Sequence, residues 1–197
     1  DDHVGGVPEI KEVTGCTVVG PKADRERIPM IDIEIEDGDT FTLHEAEAKV
    51  WDVPGHTSGH IAYWFAESQA LFCGDTLFAL GCGRVFEGTY EQMYGSISKF
   101  KEVPDETWVY CAHEYTIGNA KFALHVDPDN VHLQAYARQI EARREAGVST
   151  VPSLMGVERR TNPFLRADDP ALAAIIGMEG KAPVDVFAEI RARKDNF

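Results

Sequence analysis

The sequence predicts an α/β protein, with a strand-rich part over residues 1–117 and a helical module over residues 118–197. Short β-branched or alternating runs recur up to position 111, separated by Gly, Pro and Asp-Gly turns. From about Gly118 the apolar residues take helical spacing instead. With 44% hydrophobic and 10% aromatic residues in 197, the chain can bury a sizeable core without crosslinks.

In order, Thr17-Val18-Val19 and Ile31 to Ile35 read as strands, and Asp37-Gly38 signals a hairpin before Phe41-Thr42-Leu43. Lys49 to Val53, Ile61 to Phe65, Ala70 to Cys73 and Trp108 to Cys111 are further strands. Tyr90 to Phe100 is the one helix expected before position 113. Strand pairs followed by strand–helix–strand point to a sandwich whose sheet edges carry functional loops. Beyond it, Ala120 to His125, Val131 to Glu145, Ala171 to Ile176 and Val184 to Lys194 read as helices. Asn130 and Asp169 are expected caps, and Gly147 an expected stop.

The formal net charge of −14 argues against nucleic acid and anionic membrane surfaces as partners. An anionic substrate would need a local cluster of cations. Cys16, Cys73, Cys82 and Cys111 are scattered, which excludes a zinc ribbon or dense disulfide framework and favours a reducing, cytoplasmic setting. No apolar run approaches the roughly 18 residues of a membrane span, and no signal peptide is expected. The chain opens Asp-Asp-His without Met, so a targeting segment could precede it.

Four segments concentrate metal-ligand residues in turns and loops: Asp2-His3-Val4-Gly5-Gly6, Gly55-His56-Thr57-Ser58-Gly59-His60, Gly74-Asp75-Thr76-Leu77-Phe78 and His113-Glu114-Tyr115-Thr116. Imidazole and carboxylate suit Zn(II), Fe(II) or Mn(II) in a hydrolytic site. A single His is more often packed or solvated than ligating; the four segments together carry the reading.

These segments resemble the signature of the metallo-β-lactamase superfamily and, within it, glyoxalase II (hydroxyacylglutathione hydrolase). Asp2-His3 is similar to the end of the family's T-H-x-H-x-D-H motif, whose two earlier His would fall before residue 1. Gly81-Cys82-Gly83-Arg84, Phe86-Glu87-Gly88-Thr89, Thr150 to Ser153, Asn162-Pro163-Phe164-Leu165-Arg166 and Arg191 to Phe197 extend the resemblance over essentially the whole chain.

The fold implied is an αββα sandwich, its first strands absent, with a C-terminal helical domain. By this resemblance Asp2, His3 and His113 bind one metal, His56 binds another, and Asp75 bridges them. His60 supports the site without ligating. Arg84, Tyr115, Arg191 and Lys194 bind glutathione, for which guanidinium and ammonium groups are suited. Phe86 departs from a Tyr of some relatives, and Arg193 reads as a helix-end cation. Two divalent ions are implied for the complete enzyme, zinc first, with iron or manganese as alternatives.

The implied reaction is hydrolysis of S-(2-hydroxyacyl)glutathione, giving D-lactate and glutathione if the acyl group is D-lactoyl. A hydroxide held by the metals attacks, Asp75 orients it, and a thiolate with a parent pKa of about 8.5 needs little acid help to leave. A monomer is expected. The alternatives are another enzyme of the superfamily, such as a persulfide dioxygenase or a lactamase-like hydrolase, or a catalytically silent fragment because the T-H-x-H ligands are absent.

Overall fold

A computed structural model describes residues 2–197. After the turns at residues 2–6 comes α1 (Val7–Thr14), then the short parallel pair β1 (Val19–Pro21) and β2 (Ile33–Ile35). A six-stranded mixed sheet follows, built from β3 (Thr40–Leu43), β4 (Ala46–Asp52), β5 (Ile61–Phe65), β6 (Ala70–Gly74), β9 (Trp108–Cys111) and β10 (Ser153–Leu154). Its spatial order is β10-β9-β6-β5-β4-β3. Between β6 and β9 lie a small hairpin, β7 (Leu77–Phe78) with β8 (Gly81–Cys82), and the helix α2 (Tyr90–Lys99). The remaining helices are α3 (Thr116–Val126), α4 (Val131–Glu145), α5 (Met155–Thr161), α6 (Pro170–Ile175) and α7 (Pro183–Asp195).

The alternation along the strands decides where the core sits. Leu71, Cys73, Val109 and Ala62 point to one face, where they meet Met93 and Ile97 of α2 and Phe187 and Ile190 of α7. Phe100, Phe122, Phe164 and Phe187 are fully buried there, each contributing roughly 1.5–3 kcal/mol of transfer free energy. On the other face, the cross-strand row Val50, Tyr63, Phe72 and Tyr110 runs over four strands. β1 and β2 cover its Val50 end, whereas Phe72 and Tyr110 are exposed and stacked at 4.8 Å.

Most expected elements form, and the departures have local causes. Asp37-Gly38 does turn, with Gly38 at φ +88°, but β2 and β3 do not pair. Gly38 donates to the Val50 carbonyl, so the turn extends the ladder between β3 and β4, whose own hairpin turns at His44 with φ +54°. The helix α1 was not expected. It buries no side chain, yet its signals are readable: Val7, Ile10 and Val13 at helical spacing, Pro8 in the first turn and Gly15 as left-handed C-cap. The α5 helix was likewise unread, and the helical module also contributes β10 to the sheet edge. The first strand lies at Val19–Pro21 rather than over Thr17 to Val19, and Ile31 and Asp32 precede β2. Asn130 and Asp169 do cap α4 and α6, and Gly147, at φ +70°, ends α4. Thr89 and Gln92 form a reciprocal capping box that starts α2. Among the described residues, no helix is long and apolar enough to cross a membrane.

Candidate metal centre and substrate pocket

Asp75 sits in the turn after β6 and is 5% exposed. Three imidazoles converge on its carboxylate: His3 Nε2 at 3.0 Å and His56 Nε2 at 3.1 Å from Oδ2, and His113 Nε2 at 3.5 Å from Oδ1. Asp2 completes the group, its Oδ2 lying 3.3 Å from His113 Nε2 and 3.8 Å from His3 Nε2. The His3 and His113 Nε2 atoms are 3.3 Å apart.

These spacings test whether a metal fits. Ligand atoms 2.0–2.1 Å from a tetrahedral ion lie about 3.3 Å from one another. The three edges among Asp2, His3 and His113, from 3.3 to 3.8 Å, lie at or somewhat above that value, and Asp75 comes within 3.0 Å of His3 through Oδ2 and 3.5 Å of His113 through Oδ1. Asp75 Oδ1 is buried with no hydrogen-bond partner among the described residues, as expected of an atom reserved for an ion. On the other side of Asp75, the described residues offer His56 as the second ligand. Asp2, His3 and His113 fit one ion, with the Asp75 carboxylate beside it, and His56 with Asp75 offers part of a second site.

The backbone explains how loops hold these groups. His56 Nδ1 donates to the Arg84 carbonyl at 2.9 Å, which fixes the tautomer and turns Nε2 toward Asp75. His60 does the corresponding work for Asp75: its Nε2 accepts the Asp75 backbone N–H at 2.9 Å. Burial, helped by neighbouring His56, lowers the His60 pKa to about 4, so the ring is neutral near pH 7 and free to accept. The hydrogen bond to Asp75 raises the His56 pKa against burial. Burial pushes the Asp75 carboxyl up, but His56, His3 and His113 outweigh it and hold the group below its usual range.

Two glycines are required by close approach. Gly74 has φ +52°, and a Cβ there would lie 2.4 Å from the His60 ring. A Cβ on Gly83 would lie 2.1 Å from the Asp75 carbonyl oxygen and 3.1 Å from His56 Nδ1. Gly83→Ala is therefore expected to displace Asp75 and lower metal affinity by about 10-fold or more, as read by chelator competition. An unchanged affinity would mean that the turn can yield without moving the ligands.

The nine residues assigned from the sequence to metal or glutathione line one cavity of about 1240 Å³: Asp2, His3, His56, Asp75, His113, Arg84, Tyr115, Arg191 and Lys194. Tyr115 stacks on His113 with ring centroids 5.1 Å apart, and Phe78 meets Tyr115 edge-on at 5.2 Å. Phe86, two-thirds exposed, lies 5.0 Å from the His56 ring. The cations differ in freedom. Arg84 is exposed and loosely paired with Asp195 at 3.4 Å. Lys194 donates to the Gly118 carbonyl and lies over the Phe122 and Phe197 rings; burial, with Arg191 and Arg84 nearby, lowers its pKa. Arg191 is buried and donates to the Cys82 carbonyl at 2.8 Å and to Asp195 at 2.9 Å. Arg193 pairs with Glu189 and donates to the Ile176 carbonyl.

One supporting group was not read from the sequence. Arg27 donates to Asp24 and Glu87, and Glu87 accepts the Ser58 N–H at 2.7 Å and hydroxyl at 3.0 Å. This pins the loop that bears His56 and His60. Arg27, followed by the Ser58 donors, drives the Glu87 carboxyl down to about 2. The partners are up to 60 positions apart, and no local pattern marks them.

Comparison with known proteins identifies the family. Residues 1–113 match the metallo-beta-lactamase superfamily, and residues 114–197 match the family described as hydroxyacylglutathione hydrolase C-terminus. The chain is 55% identical to a hydroxyacylglutathione hydrolase of Methylococcus capsulatus over 196 residues, covering all of this chain and 77% of the relative. It is 54% identical to the enzyme so named from Maricaulis maris, again with 77% of that protein covered. Among solved structures, ETHE1 from Myxococcus xanthus superposes with a TM-score of 0.63 at 24% identity, over 97% of this chain and 64% of that one. TTHA1623 in a di-iron-bound form superposes with a TM-score of 0.54 at 23% identity, over 83% and 72% respectively. These structural likenesses establish the metallo-β-lactamase fold, and the superfamily implies a bound divalent metal. By sequence over its whole length, the chain belongs to the hydroxyacylglutathione hydrolase family.

Proposed function

We propose that the protein hydrolyses S-(2-hydroxyacyl)glutathione thioesters, with S-D-lactoylglutathione as the substrate that gives D-lactate and glutathione. One observation carries the reading: a single cavity in a protein of net charge −14 joins the Asp75-centred ligand cluster to Arg84, Arg191 and Lys194. Such a cavity suits a ligand with carboxylates at one end and a hydrolysable carbonyl at the other.

Divalent ions held by Asp2, His3, His113, Asp75 and His56 would supply Lewis acidity for the thioester carbonyl and for the attacking water. The chain's own residues position the rest. Arg84 and Lys194 pair with the carboxylates of glutathione, while Arg191 fixes the Cys82 carbonyl and with it the loop bearing Arg84. Tyr115 and Phe78 form an aromatic wall beside His113. Asp75, held ionised and anchored through its N–H by His60, orients the reacting groups. Water adds to the carbonyl carbon, the C–S bond breaks, and glutathione leaves as thiolate without a dedicated acid.

In this reading residues 1–117 hold the metals and residues 118–197 complete the glutathione site. The donors suit zinc, iron(II) and manganese(II), and zinc is the ion to test first. A reducing cytosol fits the four free thiols.

The test is metal content together with hydrolysis of S-D-lactoylglutathione, followed by loss of thioester absorbance. Bound metal with no turnover would move the function elsewhere in the superfamily. Arg84→Ala is expected to raise KM by about 10-fold with little change in kcat, since it removes binding made equally in ground and transition states. An unchanged KM would remove Arg84 from the site.

A further inference from the structure

The β7–β8 hairpin carries Phe78 on the wall beside His113 and runs directly into Gly83 and Arg84. Its turn residues hydrogen-bond outward to buried side chains of the helical module. The Leu80 N–H donates to Glu158 Oε2 at 2.8 Å. Asn162 Nδ2 lies 3.2 Å from the Phe78 carbonyl oxygen, 3.0 Å from that of Gly81 and 3.0 Å from Glu158 Oε2. Asn119 Nδ2 donates to the Ala79 carbonyl at 3.0 Å. Glu158, Asn162 and Leu80 are all 0% exposed.

A buried carboxylate is an expensive way to fill space, and an apolar residue of similar volume would ordinarily serve stability as well or better. Here it serves a backbone that nothing apolar could satisfy. Leu80 has φ +59°, a left-handed conformation costly for a branched residue, and its N–H is sealed from water. Glu158 gives that N–H an acceptor, and Asn162 ties the same carboxylate to the two carbonyls flanking the turn. The Asn162 side-chain Oδ1 in turn accepts the Phe164 backbone N–H at 3.0 Å, so the lock is itself anchored in the module.

We propose that Glu158 and Asn162 are positioning residues for substrate binding: they lock the β7–β8 turn and thereby fix Phe78 beside His113 and Arg84 at the pocket rim. Neither touches the cavity; they act through the turn. The binding half of this inference rests on the reading of the cavity as a glutathione site, whereas the lock itself does not.

Glu158→Met removes the acceptor at nearly constant volume, and Glu158→Gln keeps an acceptor carbonyl. Amide hydrogen exchange on the metal-loaded chain is compared at Leu80 and Gly81 of the hairpin and at Ala62 and Trp64 of β5. Glutathione affinity is measured by calorimetry on the same samples. In Glu158→Met, exchange at Leu80 and Gly81 is expected to rise about 10-fold more than at the β5 amides, with glutathione binding about 10-fold weaker. Glu158→Gln is expected to restore both. Equal acceleration of all four amides would mean a merely structural residue and overturn the proposal, as would a loosened hairpin with unchanged glutathione affinity. If Glu158→Met does not fold, an Asn162→Ala variant read in the same way decides the lock. Failure of the unsubstituted protein to bind glutathione would sink the functional reading and the binding half, while the exchange ratios still decide the lock.

Discussion

Asp75→Asn is expected to lose metal at both positions and to lower kcat/KM for S-D-lactoylglutathione by about 10³-fold or more, on the order of 4 kcal/mol of transition-state stabilisation. The substitution keeps the shape of the side chain and the backbone N–H that His60 accepts. It removes the negative charge on which His3, His56 and His113 converge from 3.0 to 3.5 Å. An amide offers one neutral oxygen in place of two charged ones, so it cannot serve ions on both sides. Alanine at the same position should do at least as much damage, and His113→Ala should empty the better furnished position first. Elemental analysis and thioester turnover on the same preparations read the outcome. An asparagine variant with full metal content and undiminished turnover would show that Asp75 is a turn residue that merely lies near the ligands.

That experiment tests the part of the site that was legible in the sequence, and the reason it was legible is local. Metal-ligand side chains cluster in short stretches next to glycines: Gly55-His56, Gly74-Asp75 and the His113 segment each sit where a strand ends. Reading them as ligands rests on the residue types and on the resemblance of the stretches to a known signature, and the structure adds that their side chains converge. The capping residues Asn130 and Asp169 were readable for the same reason, since a cap is decided within three residues. What was not legible depends on distant partners. The Arg27–Glu87–Ser58 clamp and the Glu158–Leu80 contact join positions 29 to 78 apart. Arg191, read as a glutathione contact, is seen to hold the Cys82 carbonyl 109 positions away, a role that no helix-end pattern could show. The helix α1 is a different case: Val7, Ile10 and Val13 take helical spacing, with Pro8 in the first turn and Gly15 as C-cap, so its signals are local even though it buries no side chain.

Glu158 also gives the protein a distinctive stability profile against pH. Burial raises its pKa from 4.5 to about 7, although Leu80 and Asn162 donate hydrogen bonds that oppose the rise. A carboxyl whose pKa is higher folded than unfolded binds a proton on folding, so its favourable contribution is fully present below pH 4.5. That contribution falls as pH rises and is lost once pH passes about 7, where the buried group must ionise. The shift corresponds to about 3 kcal/mol. Tyr136 and Cys111, whose ionisation feels the Glu158 charge, are themselves pushed upward mainly by burial and stay neutral over this window. Glu158→Gln keeps the acceptor and removes the titration. Urea unfolding of the two proteins from pH 4 to 8 should therefore give a stability difference that shifts by about 3 kcal/mol in favour of the glutamine variant as pH rises, with most of the change between pH 4.5 and 7. A constant difference across that range would mean that Glu158 ionises as easily in the folded protein as in the unfolded chain, which would require water to reach a side chain that is 0% exposed.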